Sequence, residues 1–442
     1  MASTLERAAA GPGAGRGREG LRAVVAQLAG PTASRRRRLT MVGLLAVWGP
    51  GLVVMLADTD AGSLITAAQS GARFGDAMVL PELALVPVLV VVQEIVVRLG
   101  TVTGKGHGCL IRERFGPTWG LVSAATLFAS AIGALLTEFA GIAGVGELFG
   151  ISKWLSIPVT TAFLVGLAFT RSYRRVERVA VALGLAELAF VPAMLLTHPR
   201  LHEVLAGLAS FPARNSSYLV LLAANVGAVI MPWMVFYQQS AIVDKGLTTR
   251  DLPAERRDTA AGAVITQAIM IVVVVTFAAT ASRGGGAGLT SVAQLARHLA
   301  PALGAGSSKA LVGAAMLGAA LVAALVVSLA GSWGIAEVLG WRHSLNERIS
   351  RNNAGFYLAY VLAHLLGAAF VLASVDLVGL AVDVEVMNAL LLPVVLGLLL
   401  ALEAKALPDE HRMHGTRRVV STGLCLAVMA FGLYMVPRAF GM

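Results

Sequence analysis

The chain has 442 residues, 57% of them hydrophobic and only 14% charged, and a mean hydropathy of +0.77. A soluble domain carries about 25% charged residues, so a water-dissolved globule is excluded and lipid must be the solvent for most of the chain. The formal charge of +10 raises nucleic acid as a partner until the charges are placed, and two cysteines in unrelated regions, Cys109 and Cys425, exclude a disulfide framework.

Residues 1–39 are rich in Gly, Ala and Arg and end in Arg35, Arg36, Arg37 and Arg38. No short apolar core with a small-residue cleavage site follows, so this is not a signal peptide. It reads as a disordered basic cytoplasmic tail that sets topology, with an anchor for anionic lipid as the other reading. Since about 20 apolar residues cross a bilayer, eleven spans are predicted: 40–72, 77–98, 118–150, 154–172, 177–197, 214–244, 259–282, 310–340, 354–374, 376–403 and 419–437. Segments 1, 3, 6 and 8 exceed one plain crossing, which predicts tilt, a break or an extension beyond the membrane. Residues 284–304 read as an outer loop with one short surface helix. The even-numbered connections and the tail hold 27 of the 35 Lys and Arg residues. The excess of basic residues on one side places the N-terminus in the cytoplasm and the C-terminus outside. It is thus a topology signal, not a nucleic-acid surface.

Lys and Arg fall in the connections or at segment edges, yet carboxylates recur inside the spans: Asp58, Asp60, Glu82, Glu94, Glu138, Glu147, Glu187, Glu337, Asp376, Asp383 and Glu385. Each costs roughly 2.5–3.5 kcal/mol at a helix centre. Protons, water, helix dipoles or a transported cation must compensate, and a cation is the economical answer for the group. Glu82, Glu147 and Asp376 lie near segment ends, where solvation is expected.

Segment 1 carries Gly49-Pro50-Gly51 and then Ala57-Asp58-Thr59-Asp60-Ala61-Gly62-Ser63, a poor helix interior. Segment 6 carries Ala228-Val229-Ile230-Met231-Pro232-Trp233, where the proline removes a donor and clashes with the preceding turn. Helices are broken at membrane depth where freed backbone lines a cavity. Breaks five segments apart predict two five-segment halves in inverted orientation, with substrate held between the broken helices.

These residues resemble the Nramp family of divalent-metal transporters from about residue 40 onward. The family's Gly-Pro-Gly and Ala-x-x-Asp-Pro-Gly-Asn pattern is met at Gly49 to Gly51 and Ala57 to Ser63. Its second-segment run is close to Arg98-Leu99-Gly100-Thr101-Val102-Thr103-Gly104-Lys105. Its Ala-x-x-Met-Pro-His is met at Ala228 to Trp233, and Ser240-Ala241 resembles the continuation. The resemblance implies an all-α membrane protein of eleven transmembrane helices, a LeuT-like 5+5 inverted repeat with helices 1 and 6 broken. It further implies Asp60 as carboxylate ligand, Ala57 and Ala228 as carbonyl ligands, and Met231 as thioether ligand.

The departures from the family are informative. Its Asn ligand is Ser63, its Asp-Pro is Asp60-Ala61, and its proton-linked His is Trp233. Its segment-3 Thr-Asp-Leu-Ala-Glu is Thr137-Glu138-Phe139-Ala140-Gly141, a family Gln on segment 10 aligns with Glu385, and one extra residue separates Met231 from Ser240. A thioether favours Mn²⁺ or Fe²⁺ over harder ions. Ser63 widens the site while Asp58 and Glu385 add charge, which suits Mg²⁺, an ion that keeps several waters. The pattern therefore resembles the Nramp-related magnesium transporters, which implies uncoupled transport of Mg²⁺ and Mn²⁺ by alternating access. The alternative is a proton-coupled Mn²⁺/Fe²⁺ importer, with Glu138 taking the proton. A Na⁺-coupled amino-acid carrier is opposed by two Asp in the site. A membrane metalloenzyme lacks a His-Glu-x-x-His pattern, and ATP-driven pumping lacks the phosphate-binding loop.

The predicted organisation is a tail over 1–39, a first repeat over 40–213, a second over 214–404, and an additional segment over 405–442. The expected partners are the bilayer of the cytoplasmic membrane and divalent cations as cargo. No cofactor, nucleic acid or obligate protein partner is inferred.

Overall fold

The computed structural model describes residues 50–170, 172–284, 289, 291–373 and 377–439. The basic tail over 1–39, Gly49, Arg171 and Asp376 lie outside the described residues, as do 285–288 of the predicted outer loop. Everything described is helical or connecting. The helices are α1 (Pro50–Asp58), α2 (Ala61–Phe74), α3 (Val79–Thr103), α4 (His107–Phe115), α5 (Pro117–Leu148), α6 (Lys153–Ala168), α7 (Tyr173–Gly184), α8 (Phe190–Thr197) and α9 (Leu201–Leu208). They continue with α10 (Ser216–Val229), α11 (Pro232–Lys245), α12 (Leu252–Gly284), α13 (Val292–Leu303), α14 (Ala305–Leu339), α15 (Ala354–Ala373), α16 (Leu377–Ala406) and α17 (Gly415–Ala439).

Among the described residues, nine helical stretches are long and apolar enough to cross a membrane, and the shorter apolar Lys153–Ala168 stands beside them. Of the four overlong segments, 1 and 6 are divided, into α1 and α2 and into α10 and α11. Segments 3 and 8 run unbroken as α5 and α14, of 32 and 35 residues. They pack against each other along their length and take up the excess without interruption. The predicted surface helix is α13.

Both divisions follow from local chemistry. Asp60 is extended, at φ −69° and ψ 176°, and its side chain caps α2 by accepting from the Ser63 amide. Met231 is likewise extended, at φ −83° and ψ 137°, because the residue before a proline is pushed out of the helical region. Pro232 then opens α11 at its first position, where a missing amide proton costs nothing. The two breaks are brought together by α12 packing on α2 and α3, and by α10 packing on α16 and α2. At Gly227 a Cβ would collide with the Glu385 carbonyl, so only glycine allows α10 to lie this close to α16.

Candidate functional site

The segment-1 break supplies oxygen from both backbone and side chains. Where α1 ends, the Met55 carbonyl accepts from Thr266 Oγ1 at 2.6 Å. The Ala57 carbonyl lies at the end of the α1 ladder. The amide it would meet in a continuous helix, that of Ala61, donates instead to Glu138 Oε2 at 3.2 Å. Asp60 spends Oδ1 on the Ser63 amide at 2.6 Å, while its Oδ2 is buried and accepts no hydrogen bond from an amide or hydroxyl among the described residues. Ser63 Oγ donates to the Ala228 carbonyl at 3.3 Å, a direct bridge from the first break to the second.

Segment 10 closes the group. A Cβ built on Gly62 would lie 2.5 Å from Glu385 Oε1, 3.2 Å from Thr137 Oγ1 and 3.4 Å from Asp60 Oδ1. Glu385 therefore reaches the break; among the described residues its Oε1 has no hydrogen-bond partner, while Oε2 accepts from Asn388 Nδ2 at 3.0 Å. Asp58, at the C-terminal end of α1, is 1% exposed, and neither of its oxygens has a hydrogen-bond partner among the described residues. Asp60, Ser63, Ala228 and Glu385 are thus assembled in one place, and Ala57 and Asp58 stand at the adjoining helix end.

Met231 lies in the second break, fully buried, but its thioether is engaged: Trp233 Nε1 donates to Sδ at 3.1 Å. The indole occupies the position of the family's His and ties up sulfur rather than presenting a titratable ring. Glu138 holds the start of α2 through the Ala61 amide and accepts from Thr137 Oγ1 at 3.2 Å. Across the break from it, the Thr59 hydroxyl donates to Glu187 Oε2.

Two expectations about the carboxylates are corrected. Glu82 was expected in solvent and is instead fully buried. The Gln267 amide, turned with its NH₂ toward the carboxylate, donates to Glu82 Oε2 at 2.9 Å, so a neighbouring helix does the work of water. Glu147 is exposed, as expected. Glu94 was counted among acids lacking a basic partner, yet it pairs with Arg98 at 3.1 Å, Arg256 at 2.7 Å and Arg417 at 2.5 Å. Arg98 is itself only 1% exposed and reaches Glu403 at 3.2 Å and the His411 carbonyl at 2.7 Å. This network belongs to the helix ends and needs no cation.

Sequence reasoning passed over Asn388 and Ser130. The available signal was the spacing Glu385-x-x-Asn388, one helical turn apart in an apolar segment.

Comparison with known proteins places this geometry. The family model described as natural resistance-associated macrophage protein-like, Nramp, matches residues 51–437. The chain belongs to the Nramp family. It is a membrane transporter and not an enzyme. A divalent metal cation transporter of Verminephrobacter eiseniae is 28% identical over 428 residues, covering 92% of each chain. One from Erwinia tasmaniensis is 29% identical over 297 residues, covering 65% of this chain and 71% of its own. Among solved structures, the manganese transporter of Eremococcus coleocola superposes with a TM-score of 0.72 at 20% identity, over 92% of this chain and 90% of its own. MhsT, solved in complex with L-phenylalanine, gives 0.60 at 13% identity, over 87% of this Nramp chain and 98% of its own. These likenesses establish the LeuT-type fold.

Proposed function

We propose that this Nramp chain carries Mg²⁺ and Mn²⁺ across the cytoplasmic membrane by alternating access, without coupled protons. The supporting observation is the division of labour among donor atoms. The Met231 thioether is occupied by the Trp233 indole, while among the described residues Asp58, Asp60 and Glu385 leave buried carboxylate oxygens without hydrogen-bond partners. Hard cations prefer oxygen, and Mg²⁺ gives up its waters reluctantly. Asp60 Oδ2 and the carbonyls of Ala57 and Ala228 contact the ion, Ser63 lines the space beside it, and Asp58 and Glu385 act through retained water. Met231 contributes to Mn²⁺ when the indole releases it. The membrane potential supplies about 2.3 kcal/mol per elementary charge per 100 mV.

The same reading includes eleven spans, with α1 and α2 forming the first and α10 and α11 the sixth. Segments 1–5 and 6–10 form the inverted halves over 40–213 and 214–404, and 405–442 holds the additional segment. The N-terminus is cytoplasmic and the C-terminus outside. Proton-coupled uptake of Mn²⁺ or Fe²⁺ is the second reading, favoured by one observation: Glu138 is buried and bonded directly to the segment-1 break.

Competition decides between them. In proteoliposomes under a negative-inside potential, millimolar Mg²⁺ should suppress uptake of micromolar Mn²⁺. Mn²⁺ uptake indifferent to a large excess of Mg²⁺ would overturn the proposal.

A further inference from the structure

Beside the ion site runs a short polar relay that crosses from α5 to α16. Ser130, Asn388 and Glu385 are all fully buried. Ser130 Oγ donates to Asn388 Oδ1 at 2.8 Å, and Asn388 Nδ2 donates to Glu385 Oε2 at 3.0 Å. The amide turns its NH₂ toward Glu385, leaving its oxygen for the serine hydroxyl, the direction that suits a carboxylate oxygen acting as acceptor. Asn388 therefore holds one carboxylate oxygen of Glu385 and leaves the other, Oε1, without a partner beside Gly62 and Asp60.

The backbone around the relay is equally constrained. Contact between Gly227 and the Glu385 carbonyl sets the position of the α16 backbone against α10. The Glu385 side chain still has its own rotatable bonds, and among the described residues Asn388 is the one hydrogen-bond donor to its carboxylate. A second, independent constraint comes from Gly62, where any side chain would occupy the space that Oε1 fills.

We propose that Asn388 is a positioning residue for ion specificity, which, backed by Ser130, turns Glu385 Oε1 onto the segment-1 break. This rests on the reading of Asp60, Ser63, Ala228 and Glu385 as the ion site. A carboxylate held there offers a fixed acceptor to the water shell of a hydrated ion. Released, it loses the one bond that selects this orientation. Mg²⁺, bound with its waters, depends on that acceptor more than Mn²⁺, which sheds water more readily and has Met231 in the second break.

The test is a double-mutant cycle on the full chain in proteoliposomes, with Mg²⁺ and Mn²⁺ as separate probes. Asn388→Ala should raise the KM for Mg²⁺ about tenfold, as expected for losing one hydrogen bond to a charged group, with Vmax within about twofold of wild type. The KM for Mn²⁺ should change less. Glu385→Gln should have a comparable effect, and the double variant should lose no more than Glu385→Gln alone, since Asn388 acts through Glu385. Ser130→Ala should shift the Mg²⁺ KM the same way by a smaller factor. Should Asn388→Ala fail to assemble, the cycle is run with Ser130→Ala and Glu385→Gln. Multiplying losses in the double variant, or an equal fall in Vmax for both ions, would make Asn388 a packing residue and overturn the proposal. If wild type took up Mn²⁺ but no Mg²⁺, the ion preference would fall while the Mn²⁺ cycle still decided the coupling. Transport by Asp60→Ala would remove the site itself.

Discussion

In the proposed ion site Asp60 has two separable duties, and Asp60→Asn separates them. Oδ1 caps α2 by accepting from the Ser63 amide at 2.6 Å, and Oδ2 stands buried and unpartnered at the break. Asparagine caps helices as well as aspartate does, so its carbonyl oxygen keeps the Ser63 bond. Its NH₂ then replaces Oδ2 and turns a donor toward the cation. In metal-free detergent Asp60→Asn should melt no lower than wild type, because it also removes an unpaired buried charge. Asp60→Ala loses the cap and should cost about 1 kcal/mol. Transport separates the variants differently: both lose the charge-assisted contact, worth about 3 kcal/mol at the upper end for one such bond, or roughly 100-fold in affinity. The assays are thermal melting of purified protein and ion uptake by proteoliposomes. Near-wild-type uptake by Asp60→Asn would refute the role of Oδ2, and equal destabilisation by Asn and Ala would refute the cap.

Trp233→Phe keeps the ring but removes the donor to Met231 Sδ. Competition by the soft ion Cd²⁺ against Mg²⁺ uptake should strengthen several-fold, and unchanged competition would mean that the thioether does not face the ion. Arg98→Ala takes the cation from Glu403, which keeps the Met413 amide, and frees the His411 carbonyl, while Glu94 keeps Arg256 and Arg417. A loss of about 3 kcal/mol is expected from breaking one partner of a buried pair, read as a lower melting temperature; a shift under one degree would contradict it. His107, on α4 between the spans, is held down to about 4 because burial disfavours the imidazolium, against the opposing pull of its bond to Gln239 Oε1 at 2.9 Å. The unfolded chain protonates near its ordinary value of 6.5 while the folded one stays neutral. Stability should therefore be fully present above pH 6.5 and fall by up to about 3 kcal/mol as pH drops toward 4. His107→Gln should flatten that part of the pH profile of melting, and an unaltered acid slope would refute the assignment.

Both helix breaks were legible in the sequence because each is written in short-range chemistry. Asp60 caps and Pro232 cannot continue a helix, whatever the rest of the chain does. The convergence of Asp60, Ser63, Ala228 and Glu385 was legible only through the resemblance, since Ser63 and Ala228 are 165 positions apart and no local pattern links them. Local reading failed where the deciding partner was remote. Glu82 looked solvated by its place near a helix start, and Gln267 on α12 buries it. Glu94 looked unpaired because Arg98, one turn on, was assigned to the following connection, and because Arg256 and Arg417 come from distant helices. The bond from Trp233 to Met231 spans only two residues, but it depends on both side chains turning into one pocket. Composition carries no trace of that choice.

The central claim, uncoupled passage of a hard divalent cation, is tested most directly in proteoliposomes loaded with a Mg²⁺-sensitive dye, with a pH dye in parallel vesicles. Under a negative-inside potential, Mg²⁺ should enter with no acidification of the lumen. Entry of Mn²⁺ together with protons, and no entry of Mg²⁺, would contradict the account and return Met231 and Glu138 to the roles of selectivity filter and proton carrier.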